Sequence, residues 1–186
     1  VYQSASHRIV PVSDCMIEDT VADQIIVTIR GLLKSFKIRP YDEDTGRGTL
    51  RHVLVRRGWR SGEILVVLVT AHGMLPGKRN FVRALTIVQN INAGQTSLVL
   101  GPHSEVLYGP GYIHEQLGDF TFRISPRAFY QINPVQTEVL YRTALDYAGL
   151  TGKETVVDAY CGTGTIGIFA SRNAARVIGV ENNRDA

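Results

Sequence analysis

The stretch VVDAYCGTGTIG, residues 156–167, gathers the residues best suited to chemistry: Asp158 at the end of an apolar run, then Tyr160, Cys161 and glycines at 162, 164 and 167. Glycines at this density let a backbone turn sharply and come close to a ligand. The letters spell GxGxxG, and Glu181 stands about twenty residues on, where a dinucleotide site places the acid that binds ribose. The spacing argues against that cofactor. In a dinucleotide fold the first glycine follows the strand almost at once, so that a helix N-terminus reaches the pyrophosphate. Here Gly162 lies five residues past Val157, and the strand ends in Asp158. An acid at a strand tip followed by small residues suits a cofactor without phosphate, whose sulfonium and amino-acid tail need nearby oxygens. The pattern points to S-adenosylmethionine rather than a dinucleotide, with Asp158, Gly162 and Gly164 at the turn and Glu181 accepting hydrogen bonds from the ribose hydroxyls.

Such a turn needs a strand before it and a helix and strand after it. The sequence supplies a strand over 154–158, a helix over 164–172 and a second strand over 176–181, one βαβ unit. Ahead of it, Asn133 and Pro134 read as cap and first residue of a helix carried by Val135, Val139, Leu140, Thr143, Leu145 and Tyr147 and stopped at Gly149. Earlier still, HRIVPV at 7–12 reads as a short strand, and Val21, Ile25, Ile29, Leu32 and Phe36 form a helical stripe. LRHVLVRRG and GEILVVLVTA, over 50–58 and 62–71, read as a hairpin. A second helix is expected from Pro76 with Phe81, Leu85 and Val88 on one face, then strands over 97–100 and 119–124 around the loop GPGY at 109–112. The pattern changes near Ser125. The predicted architecture is α/β: an α+β domain over 1–124, then over 125–186 the first βαβ unit of a Rossmann-like sheet.

With 186 residues, 44% of them hydrophobic, the chain can bury a sizeable core. No apolar run approaches a membrane span and no signal-peptide order opens the sequence, so a soluble, cytoplasmic protein is expected. Cys15 and Cys161 are isolated, giving neither a disulfide framework nor a metal site. The net charge of +3 permits a nucleic-acid partner without requiring one.

DAYCGTGTIG, preceded by SPRAFYQINPVQTEVLY and followed by GVENN, resembles the S-adenosylmethionine-dependent RNA uracil-5-methyltransferases, which make 5-methyluridine in ribosomal or transfer RNA. The likeness is specific from about residue 119 and weaker before it, where SHRIVPVSDC and GRGTLRHVLVRRG resemble the family's central domain. It implies cofactor contacts from Gln131, Tyr160 and Glu181. It also implies a reaction in which a cysteine thiolate adds to C6 of uracil, C5 takes the methyl group and a carboxylate removes the C5 proton. The family's nucleophile and base lie well after the glycine loop, so no catalytic residue is assigned here. Cys15, in a context like that of an iron–sulfur ligand in some members, is read as a small buried thiol, and Cys161 as a side chain packed under the turn.

The expected function is methyl transfer from S-adenosylmethionine to C5 of uridine in RNA, with ribosomal RNA as first choice and transfer RNA as alternative. The chain is expected to be a fragment, inactive alone, that dimerises through an open sheet edge. A non-catalytic RNA-binding or S-adenosylmethionine-binding module is the competing reading, and a small-molecule methyltransferase a third. RNA is expected along the basic run of Lys34, Lys37, Arg39, Arg47, Arg51, Arg56, Arg57 and Arg60, with His52 and Trp59 available for stacking.

Overall fold

A computed structural model describes residues 3–6, 9–73, 75 and 86–184. The chain divides into two compact units, one of Val1–Arg57 with Ile64–Gly111 and one of Gly58–Glu63 with Tyr112–Ala186. The expected α/β class is observed, with parallel and antiparallel pairing both present. Among the described residues no helix is long and apolar enough to cross a membrane.

The first unit holds helix α1 (Thr20–Ser35) and strands β1 (Leu50–Arg57), β2 (Ile64–Thr70), β3 (Thr86–Ile91) and β4 (His103–Tyr108), in the sheet order β1-β2-β3-β4. Asp19 caps α1 by accepting the N–H groups of Val21 and Ala22 at 2.9 and 3.2 Å. The same carboxylate meets Arg57 of β1 at 2.7 Å, so one acid both starts the helix and ties it to the sheet. Ile29 of α1 joins Ile38, Leu50, Val66, Leu68, Leu75 and Ile87 in a buried cluster. β2 is apolar throughout because it lies between two neighbours, antiparallel to β1 and parallel to β3.

Three expectations in this unit change. Of the strand expected over 7–12, residues 7 and 8 lie outside the described set and 10–12 form no strand. The helix expected from Pro76 falls on residues 76–85, also outside it, but Val88, assigned to that helix, sits buried in β3. Residues 97–100 are a loop rather than a strand. The buried amide of Asn92 donates to the carbonyls of Leu98 and Val99, and that of Asn90 to Gly101. Side chains thus occupy carbonyls that a ladder would need, and the strand forms later, as β4.

The second unit holds the antiparallel pair β5 (Ile113–Leu117) and β6 (Phe120–Ile124), helix α2 (Pro134–Ala148), strand β7 (Thr155–Asp158), helix α3 (Thr165–Ala170) and strand β8 (Arg176–Gly179). β7 and β8 pair in parallel across α3, the βαβ unit expected. α2 starts and stops where predicted, with Asn133 accepting the Gln136 N–H at 3.0 Å and Gly149 left-handed at φ 57°. Its buried face differs, however. Pro134, Thr137 and Tyr141 are buried, whereas Val135, Val139, Leu140 and Tyr147 are exposed. Because Tyr141 and Thr137 each carry a hydroxyl, counting aliphatic residues misses the stripe that they form. β7 is also less covered than an interior parallel strand, with Val157 exposed. The described sheet here has only two strands.

Candidate active site: the turn after strand β7

β7 ends in Asp158, and the chain then turns through residues 159–164 into α3. Gly162 and Gly164 take φ of 54° and 75°, the left-handed region in which a side chain is strained, so glycine at both follows from the path of the turn. The Gly164 N–H donates to the Cys161 carbonyl at 2.7 Å. On the β8 side, Cys161 N–H donates to Val180 O at 3.1 Å and Val180 N–H to Asp158 O at 2.8 Å, which fastens the turn to the exit of the neighbouring strand.

Two carboxylates hold the turn from either end. Asp158 Oδ2 accepts the N–H of Gly167 at 3.1 Å. A Cβ at Gly167 would lie 3.0 Å from that oxygen and 3.2 Å from Val177, so the third glycine serves close packing of α3 on its strands. Glu181 accepts the Gly162 N–H through Oε2 at 2.9 Å and the Asn183 N–H through Oε1 at 2.7 Å. These donors, Asn183 foremost and then Gly162, hold its carboxyl below the usual carboxylate range.

The structure thus brings Asp158, Gly162, Gly164 and Glu181 together. Tyr160 belongs to the same turn and stands 94% exposed. Gln131 lies in the segment before α2, half-buried. Its neighbour Tyr130 has a buried hydroxyl with no hydrogen-bond partner among the described residues, and burial, reinforced by Glu115, pushes its phenol up. Cys161 packs its sulfur where a Cβ on Gly179 would come within 3.0 Å. Burial, then the charges of Asp158 and Glu181, push its thiol up, so it is poorly suited to act as a thiolate.

Tyr141 and Thr165 escape a reading of the sequence. The Tyr141 hydroxyl meets Thr165 Oγ1 at 2.7 Å and its ring stands edge-on to Phe169, with centroids 5.5 Å apart, so α2 steadies the first residue of α3. The one available signal is a hydroxyl on a buried helical stripe.

Three cations of the basic run, Arg51, Arg57 and Arg60, are engaged by carboxylates. The Arg51 side chain is covered, bridges Glu43 at 2.9 Å and donates to the carbonyls of Asn92 and Gly94. Arg57 bridges Asp19 and Arg60 bridges Glu138, both at 2.7 Å. His52 is half-buried. Asp19 and Glu138 reach Arg57 and Arg60 across 38 and 78 residues of sequence, which local charge counting does not register, whereas Glu43 lies within the run itself.

No protein-family model matches the chain. A protein of Clostridium acetobutylicum named an uncharacterized RNA methyltransferase is 46% identical over 188 residues, covering 97% of this chain and 41% of the relative. One of Halalkalibacterium halodurans with the same description shows the same identity and coverage, and one of Listeria monocytogenes is 42% identical. The chain therefore spans about 41% of the length of these curated relatives. Among solved structures it is similar to the tRNA (uracil-54, C5)-methyltransferase of Pyrococcus abyssi in complex with S-adenosyl-L-homocysteine, with a TM-score of 0.83, 27% identity and coverage of 95% of this chain and 44% of that one. Nearly the whole chain thus corresponds, in sequence and in fold, to one stretch of the RNA methyltransferases.

Proposed function

We propose that the turn binds S-adenosylmethionine, and that the protein methylates C5 of uridine in RNA through a Rossmann-like class I methyltransferase domain beginning near Ser125. The observation that carries the reading is Glu181 holding the Gly162 N–H, which fixes a carboxylate at the mouth of a left-handed glycine turn. Each oxygen of Glu181 accepts one backbone N–H, and a carboxylate offers about four acceptor sites. Two sites thus remain for two ribose hydroxyls without breaking the turn. Asp158 likewise keeps Oδ1 for the positive end of the cofactor while Oδ2 holds Gly167. Tyr160 offers an exposed ring to the adenine, and Gln131 an amide. S-adenosylmethionine in this turn supplies a methyl group on a sulfonium. That the similar Pyrococcus abyssi enzyme is described with S-adenosyl-L-homocysteine supports the assignment.

The packing of Cys161 and its raised thiol argue against it as the nucleophile, and on this reading residues 1–186 alone do not methylate RNA. Ribosomal RNA is the proposed target. Transfer RNA is the second reading, favoured by the description of the similar structure as a tRNA enzyme. The unpaired edges of the β7–β8 pair favour self-association, which light scattering checks. The decisive experiment is calorimetry with S-adenosyl-L-homocysteine, together with tritium release from 5-tritiated uridine in unmodified ribosomal and transfer RNA. Absence of cofactor binding by the protein at the length of its relatives would sink the proposal.

A further inference from the structure

We propose that the solvent face of the β5–β6 pair, with the adjoining β1–β2 turn, is a platform for single-stranded RNA built from Trp59, Tyr112, His114 and Arg123; this rests on the RNA-methyltransferase reading. β5 and β6 alternate strictly: Ile113, Glu115 and Leu117 are buried against Phe122 and Ile124, and His114 and Arg123, paired in register, point to solvent. The Arg123 guanidinium lies 5.0 Å above the Tyr112 ring, and the Tyr112 and His114 rings meet edge-on with centroids 5.3 Å apart. Unlike Arg51, Arg57 and Arg60, Arg123 makes no ion pair among the described residues. A cation held flat on a ring keeps its N–H edge for a phosphate and its outer plane for a base.

The β1–β2 turn adds the indole. Ser61 Oγ donates to the His114 carbonyl at 2.6 Å, and Glu63 accepts the His114 N–H at 2.7 Å, so the turn runs along β5. The buried carboxylate of Glu115 accepts the backbone N–H groups of Trp59 and Arg60. Gly58 fits because a Cβ there would strike Ser61 Oγ at 2.0 Å. The backbone beneath Trp59 is therefore fixed, while the residue is 63% exposed. A large apolar ring presented on a clamped turn along the edge of β5 suits stacking on a base, which every base permits. Glu63, the acid beside His114, is engaged by the His114 N–H and ring.

Trp59 is the only tryptophan of the sequence, so its fluorescence reports on the turn that adjoins this face. Titrating the full chain with a single-stranded oligouridylate at low salt is expected to quench it. Arg123→Glu should weaken binding about tenfold and lower the salt slope by about one. Trp59→Phe should weaken binding, measured by anisotropy of labelled RNA, with circular dichroism unchanged. Arg142→Glu, in the separate cavity of about 410 Å³ beside α2, should leave it as in the wild type. Three outcomes overturn the platform: binding without quenching, binding unaffected by Arg123→Glu, or equal binding of polyglutamate, which would mark an acidic-peptide surface. The first two leave the methyltransferase reading standing, since that reading fails instead on loss of cofactor binding.

Discussion

The Glu181 carboxylate accepts the backbone N–H of Gly162 at 2.9 Å across 19 residues of sequence, joining the exit of β8 to the turn after β7. A single side chain thus shapes the turn and provides the proposed ribose contact. Glu181→Ala removes both functions and leaves two backbone donors without their charged acceptor. With those contacts gone, affinity for S-adenosyl-L-homocysteine should fall about tenfold. Calorimetry checks this, and an unchanged dissociation constant would contradict it. The depressed carboxyl of Glu181 also implies that binding persists as pH falls through the ordinary carboxylate range and is lost only as pH passes the lower folded value.

Gly162 and Gly167 should respond to alanine for different reasons. At Gly162 nothing lies within 4 Å of an added Cβ, but φ is 54°, so the cost is conformational, about 1 kcal/mol. At Gly167 the helical backbone accepts alanine, but the methyl would press on Asp158 and Val177, a crowding cost of about 1–3 kcal/mol. Urea denaturation separates the two when paired with Asp158→Ala, which should reduce the Gly167 penalty and leave that of Gly162 intact.

Cys161 should alkylate slowly. Its thiol is pushed up by burial and by two neighbouring acids, so little thiolate exists near neutral pH. Rates with iodoacetamide should fall below those of a small-molecule thiol at pH 7.5, and Cys161→Ser should leave cofactor affinity within about twofold. Rapid labelling would show the thiol to be activated.

Glu154 carries a pH signature. The Thr151 hydroxyl donates to it at 2.6 Å and the Thr151 N–H at 2.8 Å, holding its pKa at about 2 against an ordinary 4.5. A depressed carboxyl stabilises the fold above the unfolded pKa, and that contribution fades as pH falls from 4.5 towards about 2. The difference in urea midpoint between wild type and Glu154→Gln should therefore be present at pH 7 and shrink below pH 4.5. A difference constant over that range would refute the assignment.

Much of the second unit was legible because its signals are local. Asn133–Pro134 and Gly149 delimit α2 through backbone chemistry that few other residues perform, and the glycine turn with Asp158 marks the βαβ crossover. What sequence could not supply depends on distant partners. β3 and β4 are set by pairing across the sheet and by Asn90 and Asn92. The buried face of α2 rests on a Tyr141 hydroxyl that needs Thr165 to be satisfied. Three of the eight cations in the basic run, Arg51, Arg57 and Arg60, pair with Glu43, Asp19 and Glu138, contacts that counting charges along the sequence does not reveal.

Glu115 has a consequence for dissecting the protein. It is 2% exposed, and two of its N–H donors come from Trp59 and Arg60, which belong to the second compact unit although they sit in sequence between β1 and β2. No single cut of the chain releases that unit whole. Residues 112–186 expressed alone would bury a carboxylate left with the Gln116 N–H but without the two donors of the turn, a defect costing about 1–3 kcal/mol or more. A hairpin turn that invites loop swaps and tag insertions is therefore one of the least interchangeable segments of the molecule.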